Sequence, residues 1–120
     1  MPATVKRTPL VFYATKGGTE PVREWLKELP VDERNAIGQD LMRAQWRWPV
    51  GMPLCRAMGD GLHEVRSPLG NRIARVLFCV HAGKLVALHG FIKKTQATPD
   101  AELDIARKRM KDLLRHDQKK

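Results

Sequence analysis

Between Leu62 and Ile92, three runs rich in branched and aromatic residues follow one another with almost nothing between them. Leu62-His63-Glu64-Val65-Arg66 is closed by Ser67-Pro68-Leu69-Gly70. Arg72 to Val80 is closed by His81-Ala82-Gly83, and Lys84 to Ile92 follows directly. Connections this short join antiparallel neighbours, because a parallel crossover needs a dozen or more residues. The segment is therefore expected to form a three-stranded meander. Its middle run, Arg72-Ile73-Ala74-Arg75-Val76-Leu77-Phe78-Cys79-Val80, is apolar on both faces for much of its length. That places it centrally, covered on one face by helices.

The flanking segments supply those helices. Residues 8–14 form a short apolar and aromatic run ended by Gly17-Gly18, which reads as a first strand and a turn. Thr19 offers an oxygen to cap a helix that has Glu20 and Pro21 in its first turn. Val22, Trp25, Leu26 and Leu29 give that helix one apolar face, and Pro30 stops it. Asp32 caps a second helix with Ile37, Leu41, Ala44 and Trp48 on one face. Pro49 to Gly61, with two prolines and three glycines, reads as a loop. A last helix follows Thr98-Pro99, with Leu103, Ala106, Met110 and Leu113 as its stripe, and residues 115–120 are expected to fray. The sum is one α+β domain over residues 1–120, of order β-α-α-β-β-β-α, with a small antiparallel sheet and helices packed on one face.

Composition narrows the class. Apolar residues make up 42% and charged residues 29%, which is ordinary for a globular domain. No run approaches the roughly 18 apolar residues of a membrane span. The first residues lack the apolar centre of a signal peptide, so the cytoplasm is the expected compartment. The net charge is +9 and uneven. Residues 1–60 hold 9 basic and 7 acidic side chains, residues 61–120 hold 13 and 6. Such a basic half points to a polyanionic partner, RNA, DNA or an acidic protein segment; the plainer alternative is a basic, soluble surface. Cys55 and Cys79 are expected to be reduced, and Cys79 to be a small core residue. Four scattered histidines and no CxxC pair encode no zinc site.

The basic residues at strand ends are the informative ones. Arg66 ends one strand, Arg72 opens the next and Lys93-Lys94 end the last. In an antiparallel meander these three ends share one edge, so Arg66, Arg72 and one of the two lysines are expected to converge. Arg75 should point away from Arg72. Glu64, on the face of Arg66, is the carboxylate placed to balance the cations. Two readings remain open: a phosphate clamp, or a solvated sheet edge with ordinary salt bridges. His89 and His63 read as structural, Trp48 as core and Trp46 as partly exposed. Lys108-Arg109-Lys111 is a solvated helix face or a second RNA contact. Gly17-Gly18 and Gly59-Asp60-Gly61 lack the continuation of a phosphate loop.

These segments resemble a known family. Leu-His-Glu-Val-Arg (62–66), Gly-Asn-Arg-Ile-Ala-Arg-Val (70–76), Leu-His-Gly-Phe-Ile-Lys-Lys-Thr-Gln-Ala-Thr-Pro (88–99) and the helix with Glu102, Ala106 and Arg109 look like the phage-derived Gp49-like branch of HigB toxins, within the RelE/ParE superfamily. The resemblance implies a RelE-like fold and the toxin of a type II toxin–antitoxin pair. It implies a ribosome-dependent mRNA endoribonuclease that needs no metal or other cofactor. The RNA 2′-hydroxyl attacks the adjacent phosphorus and leaves a 2′,3′-cyclic phosphate. By position, Arg66 and Arg72 would hold the scissile phosphate, and Lys93 or Lys94 would supply charge or a proton. Glu64 would orient an arginine or accept a proton. Lys108 and Lys111 would add RNA contacts. A helix-turn-helix antitoxin, the ribosome with its mRNA, and operator DNA reached through the antitoxin are the implied partners, with no membrane. The tyrosine of many RelE members near the active site has no counterpart, since the one tyrosine is Tyr13. Two other readings stand beside this one: a non-catalytic toxin that binds a protein such as gyrase, and a non-toxic basic RNA-binding protein.

Overall fold

The computed structural model describes residues 6–118, with side chains through His116. The order is β1 (Leu10–Phe12), α1 (Pro21–Glu28), α2 (Val31–Arg47), β2 (Cys55–Gly59), β3 (Leu62–Leu69), β4 (Arg72–His81), β5 (Lys84–Lys93) and α3 (Asp100–Gln118). The expected α+β class and meander are present, with β4 at the centre of a sheet ordered β1-β5-β4-β3-β2. The β4–β5 hairpin closes through Ala82 and Gly83, both at positive φ (52° and 76°), the geometry of a tight two-residue turn.

Several expectations are corrected. The sheet is mixed: β1 runs parallel to β5, from Leu10↔Leu85 to Phe12↔Ala87. Buried Gln45 of α2 secures the outer side of β1, its Oε1 accepting from the Leu10 N–H at 3.1 Å. A loop was expected before Gly61, but Cys55–Gly59 pairs with β3 instead. Prolines and glycines hid this strand, which is short and lies at an edge. β3 runs past Arg66 to Leu69. The capping expectations fail too. Glu20 and Pro30 precede α1 and α2 without side-chain caps. Thr98 turns its hydroxyl to Glu64 instead of to the start of α3. α3 continues through Gln118, beyond the expected start of fraying, and residues 119–120 lie outside the described residues.

The largest correction concerns the helices. Alternation along each strand gives the sheet two apolar faces. Val65, Val76, Phe78 and Ala87 pack with Val22, Ile37, Leu41 and Ala44 of α1 and α2. Leu62, Leu77, Cys79 and Leu88 pack with Ala106, Leu103, Met110 and Leu113 of α3. Helices therefore cover both faces, α1 and α2 on one and α3 on the other. A strand apolar on both sides needs this, since an uncovered apolar face would stay in water.

Gly90 shows how closely the first face is packed. A Cβ added there would stand 2.4 Å from two ring carbons of Trp25 in α1. Gly90→Ala is expected to destabilise the fold by about 1–3 kcal/mol through overpacking. Urea unfolding should show this loss, and Trp25→Leu in the same chain should recover part of it.

Candidate functional site

Three charged side chains of the sheet meet on the α3 side. Register pairs Arg66 with Arg75 across β3 and β4 and places Glu64 one row away on the same face. Glu64 and Arg75 are fully buried, and the Arg66 side chain is 10% exposed. Arg66 Nη1 donates to Glu64 Oε1 at 2.7 Å, while the Thr98 hydroxyl donates to Oε2 at 2.7 Å. Arg75 Nε stands 4.0 Å from Oε1. A carboxylate removed from water is tolerated only when it is paired and hydrogen-bonded, and here both oxygens are engaged. Arg66 Nη2 donates to the carbonyl and side-chain oxygens of Gln96, both at 3.3 Å. Arg75 Nη2 donates to the Gln96 carbonyl at 2.9 Å and to that of Thr95. Burial and the Arg66 charge lower the pKa of Arg75, opposed by Glu64. The guanidinium carbon also sits 5.6 Å from the Phe91 ring centroid.

Beside this cluster an open cleft of about 610 Å³ wraps the rim of the sheet. Its lining brings together Arg66, Arg72 and Lys94, with Gln96, Asn71 and Asp40, against apolar walls that include Leu54, Pro68 and Ile73. The three expected cations thus share one cleft, but they do not share one face. Arg72 pairs with Leu69 in the register and lies on the α2 side, bonded to Glu33 of α2. Ile73 pairs with Lys93, so Arg72 and Lys94, one step further on each strand, fall side by side. Arg66 reaches the same cleft from the α3 side.

Lys93 goes elsewhere. Its Nζ donates to Glu102 Oε2 at 3.0 Å, and His89 Nε2 lies 2.6 Å from Oε1. Arg109 Nη1 approaches His89 Nδ1 at 3.4 Å and donates to the Leu88 carbonyl at 2.8 Å. These neighbours assign the tautomer with the proton on Nε2, because Nδ1 faces a donor. Burial alone would raise the pKa of Glu102, but the hydrogen bonds from His89 and Lys93 outweigh it and hold it low. Further along α3, Tyr13 donates to Asp112 at 2.5 Å. Lys108 and Lys111 line a separate hollow of about 340 Å³ with Asp104, Ile105 and Arg107. The histidine reading holds for His63, which packs between Trp48 and Phe78 on the α2 side. Both cysteines are buried and free, with thiol pKa values pushed up to about 11 by burial, helped for Cys55 by Asp40. Neither is a ready nucleophile at neutral pH. Among the described residues, no group of three or more His, Cys, Asp or Glu is placed to hold a metal ion, and no helix is long and apolar enough to cross a membrane.

Sequence reasoning passed over Arg75, Gln96, Thr98 and Asp40. Arg75 did carry a signal, since a lone cation inside a run apolar on both faces must be buried and compensated. The others sit in loops or on a helix, where no spacing marks them.

The molecule is a small basic α+β domain with an arginine-lined cleft at the sheet rim. The family model of phage-derived Gp49-like proteins matches residues 24–111, from α1 into the later turns of α3. The chain belongs to that family. No curated protein matches it.

Two titrations test the polar contacts of α3. Because the carboxyl pKa of Glu102 is lowered in the folded protein, its stabilisation is complete above the ordinary value of about 4.3. It is lost as pH falls through the lowered value. Unfolding free energies across that range should fall less steeply for Glu102→Gln than for the unaltered chain. Tyr13, the sole tyrosine, has its pKa raised to about 12 by burial and by Asp112. Tyrosinate absorbance should show that midpoint, and Asp112→Asn should move it down toward the ordinary value of 10.0.

Proposed function

We propose that the chain is the toxin of a type II toxin–antitoxin pair and acts as a metal-independent endoribonuclease on ribosome-bound mRNA. The observation that supports it most is the meeting of Arg66 from within β3, Arg72 from the start of β4 and Lys94 from just past β5 in one open cleft. Membership of the Gp49-like family, with which toxin–antitoxin-like proteins are associated, supports the toxin class. The charge of +9 favours a polyanion.

In this reading the two guanidiniums take the non-bridging oxygens of one internucleotide phosphate, where Arg geometry suits bidentate contact. The 2′-oxygen attacks phosphorus and the 5′-oxygen leaves. Charge developing on the phosphorane is stabilised by cations already fixed in place by Glu64 and Glu33. Lys94, which makes no ion pair among the described residues, gives a proton to the departing 5′-oxygen. Asp40, the carboxylate among the cleft-lining residues, accepts from Arg43 through Oδ1 at 2.6 Å, and its other oxygen takes the 2′-hydroxyl proton. Glu64 has both oxygens occupied and reaches no solvent, so it orients Arg66 and does not act as the base. Lys93 is held by Glu102, while Lys108 and Lys111 would meet RNA outside the cleft. A helix-turn-helix antitoxin that covers the basic rim, and operator DNA bound through it, complete the proposal.

Brief induction followed by mapping of transcript ends tests this. Cuts within translated messages are expected. Arg66→Ala, Arg72→Ala and Lys94→Ala should each slow cutting, by about 10²–10³ for a full loss of one charge-stabilising group. Growth arrest with intact mRNA and broken DNA would instead establish a gyrase-binding toxin. Harmless overexpression would remove toxicity altogether.

A further inference from the structure

Arg75 has an expensive position for a structural residue. Its side chain has no solvent exposure, and its Nε and Nη1 make no hydrogen bond. A buried cation with idle donors is a poor way to stabilise a sheet, and Glu64 does not depend on it, since Arg66 and Thr98 already bond both carboxylate oxygens. The bonds it does make all run to one place, the segment between β5 and α3. Nη2 takes the carbonyls of Thr95 and Gln96. Thr95, Gln96 and Ala97 are exposed and outside any ladder, and among the described residues the segment's own hold on its backbone is the bond from the Thr95 hydroxyl to the Ala97 carbonyl at 3.0 Å. Arg66 shares the Gln96 carbonyl, and Thr98 is bonded to Glu64.

Lys94 lies between two tethered neighbours. Lys93 is held by Glu102 at 3.0 Å, and the Thr95 carbonyl is held by Arg75. Among the described residues, Lys94 itself makes no side-chain hydrogen bond or ion pair that would aim it. We propose that Arg75 is a positioning residue: by gripping the two carbonyls that follow Lys94, it fixes the point from which that lysine enters the cleft. It also sets Gln96, which in turn holds Arg66 in the same cleft. Arg75 does not touch the ligand. One amino group, Nη2, reaches both successive carbonyls while the guanidinium lies over the Phe91 ring, a combination that a lysine ammonium reproduces only in part. The inference deepens the reading of the cleft as an RNA phosphate site and rests on it.

The test uses the full chain, with Arg75→Met, Arg75→Lys, Lys94→Ala and the Arg75→Met/Lys94→Ala double variant. Backbone amide order parameters from nitrogen spin relaxation at residues 94–98 and the thermal midpoint are measured without RNA. Affinity is measured for a 2′-O-methyl oligoribonucleotide, whose blocked nucleophile prevents cleavage. Arg75→Met is expected to keep a midpoint close to that of the unaltered chain. Its order parameters at 95–98 should fall from the range of a rigid backbone, about 0.85, to below about 0.6. Lys94→Ala should weaken oligonucleotide binding in the unaltered chain and have little further effect beside Arg75→Met. Arg75→Lys should fall between the two. Unchanged order parameters in a folded Arg75→Met chain overturn the proposal. So does an equal loss from Lys94→Ala in both backgrounds, because independent sites add. Should the Met variant not fold, Arg75→Lys and Arg75→Gln carry the same comparison. Failure of the unaltered chain to bind the oligonucleotide would count against the phosphate cleft, and the order parameters would still decide whether Arg75 orders the segment.

Discussion

The carboxylate of Glu64 sits where no solvent reaches it, and two guanidiniums and one hydroxyl face it. Neither sign of charge is tenable there alone. Without Glu64, Arg66 and Arg75 would be like charges on paired positions of adjacent strands, which repel. Without the arginines, Glu64 would be an unpaired buried anion. The carboxylate and the groups that face it then determine what lies around them. Arg66 is turned toward the rim, Thr98 is drawn from the start of α3, and Gln96 is caught between the two arginines. A segment with almost no backbone hydrogen bonds of its own becomes ordered from beneath. The cleft inherits its shape from a charge balance inside the sheet.

That balance explains which parts of the molecule were legible in the sequence. Periodicity reports the face on which a side chain leaves the backbone, and wherever that question mattered it answered correctly. Arg75 does point away from Arg72, Glu64 does share the face of Arg66, and Trp48, though it falls just past the end of α2, packs against the core below that helix. Periodicity does not report what waits on that face. The run from Ile73 to Val80 shows that both sides of β4 are dry, yet nothing in its spacing says that α3 crosses to the far side. The strand at Cys55–Gly59 was hidden for a related reason. Five edge residues, half exposed and broken by a bulge before Gly59, carry too little pattern to outweigh the turn residues around them.

The convergence at the rim was legible in part. Shared strand ends brought Arg66, Arg72 and a lysine to one neighbourhood, as topology requires. Topology at the level of strand ends does not fix the face, however, and Arg72 lies across the sheet from Arg66. The cleft works around this by wrapping over the rim where β2 no longer covers β3, so that a ligand there would be approached from both sides of one edge. Each arginine also has its own carboxylate, Glu64 for one and Glu33 for the other. Two cations with separate anchors can be held close to one target without either having to neutralise the other. A single open face carrying both would have needed that target in order to fold.

The stretch from Leu88 to Lys94 shows why an ordinary-looking strand can specify so much. Past the bulge at Leu88, alternate residues serve opposite faces. Gly90 and Ile92 turn to α1 and α2, and Gly90 must lack a side chain because Trp25 occupies the space. His89, Phe91 and Lys93 turn to α3, where His89 and Lys93 meet Glu102 and Phe91 underlies Arg75. Adjacent lysines at a strand end are therefore not duplicates. The pleat sends the first to a carboxylate on α3 and leaves the second for the rim beside Arg72. Exchanging their roles would require a one-residue slip, which would also drive the Gly90 gap away from Trp25 and bury the wrong side of every other residue in the strand. The position of the cationic cleft is thus tied to the packing of the apolar core by a single register.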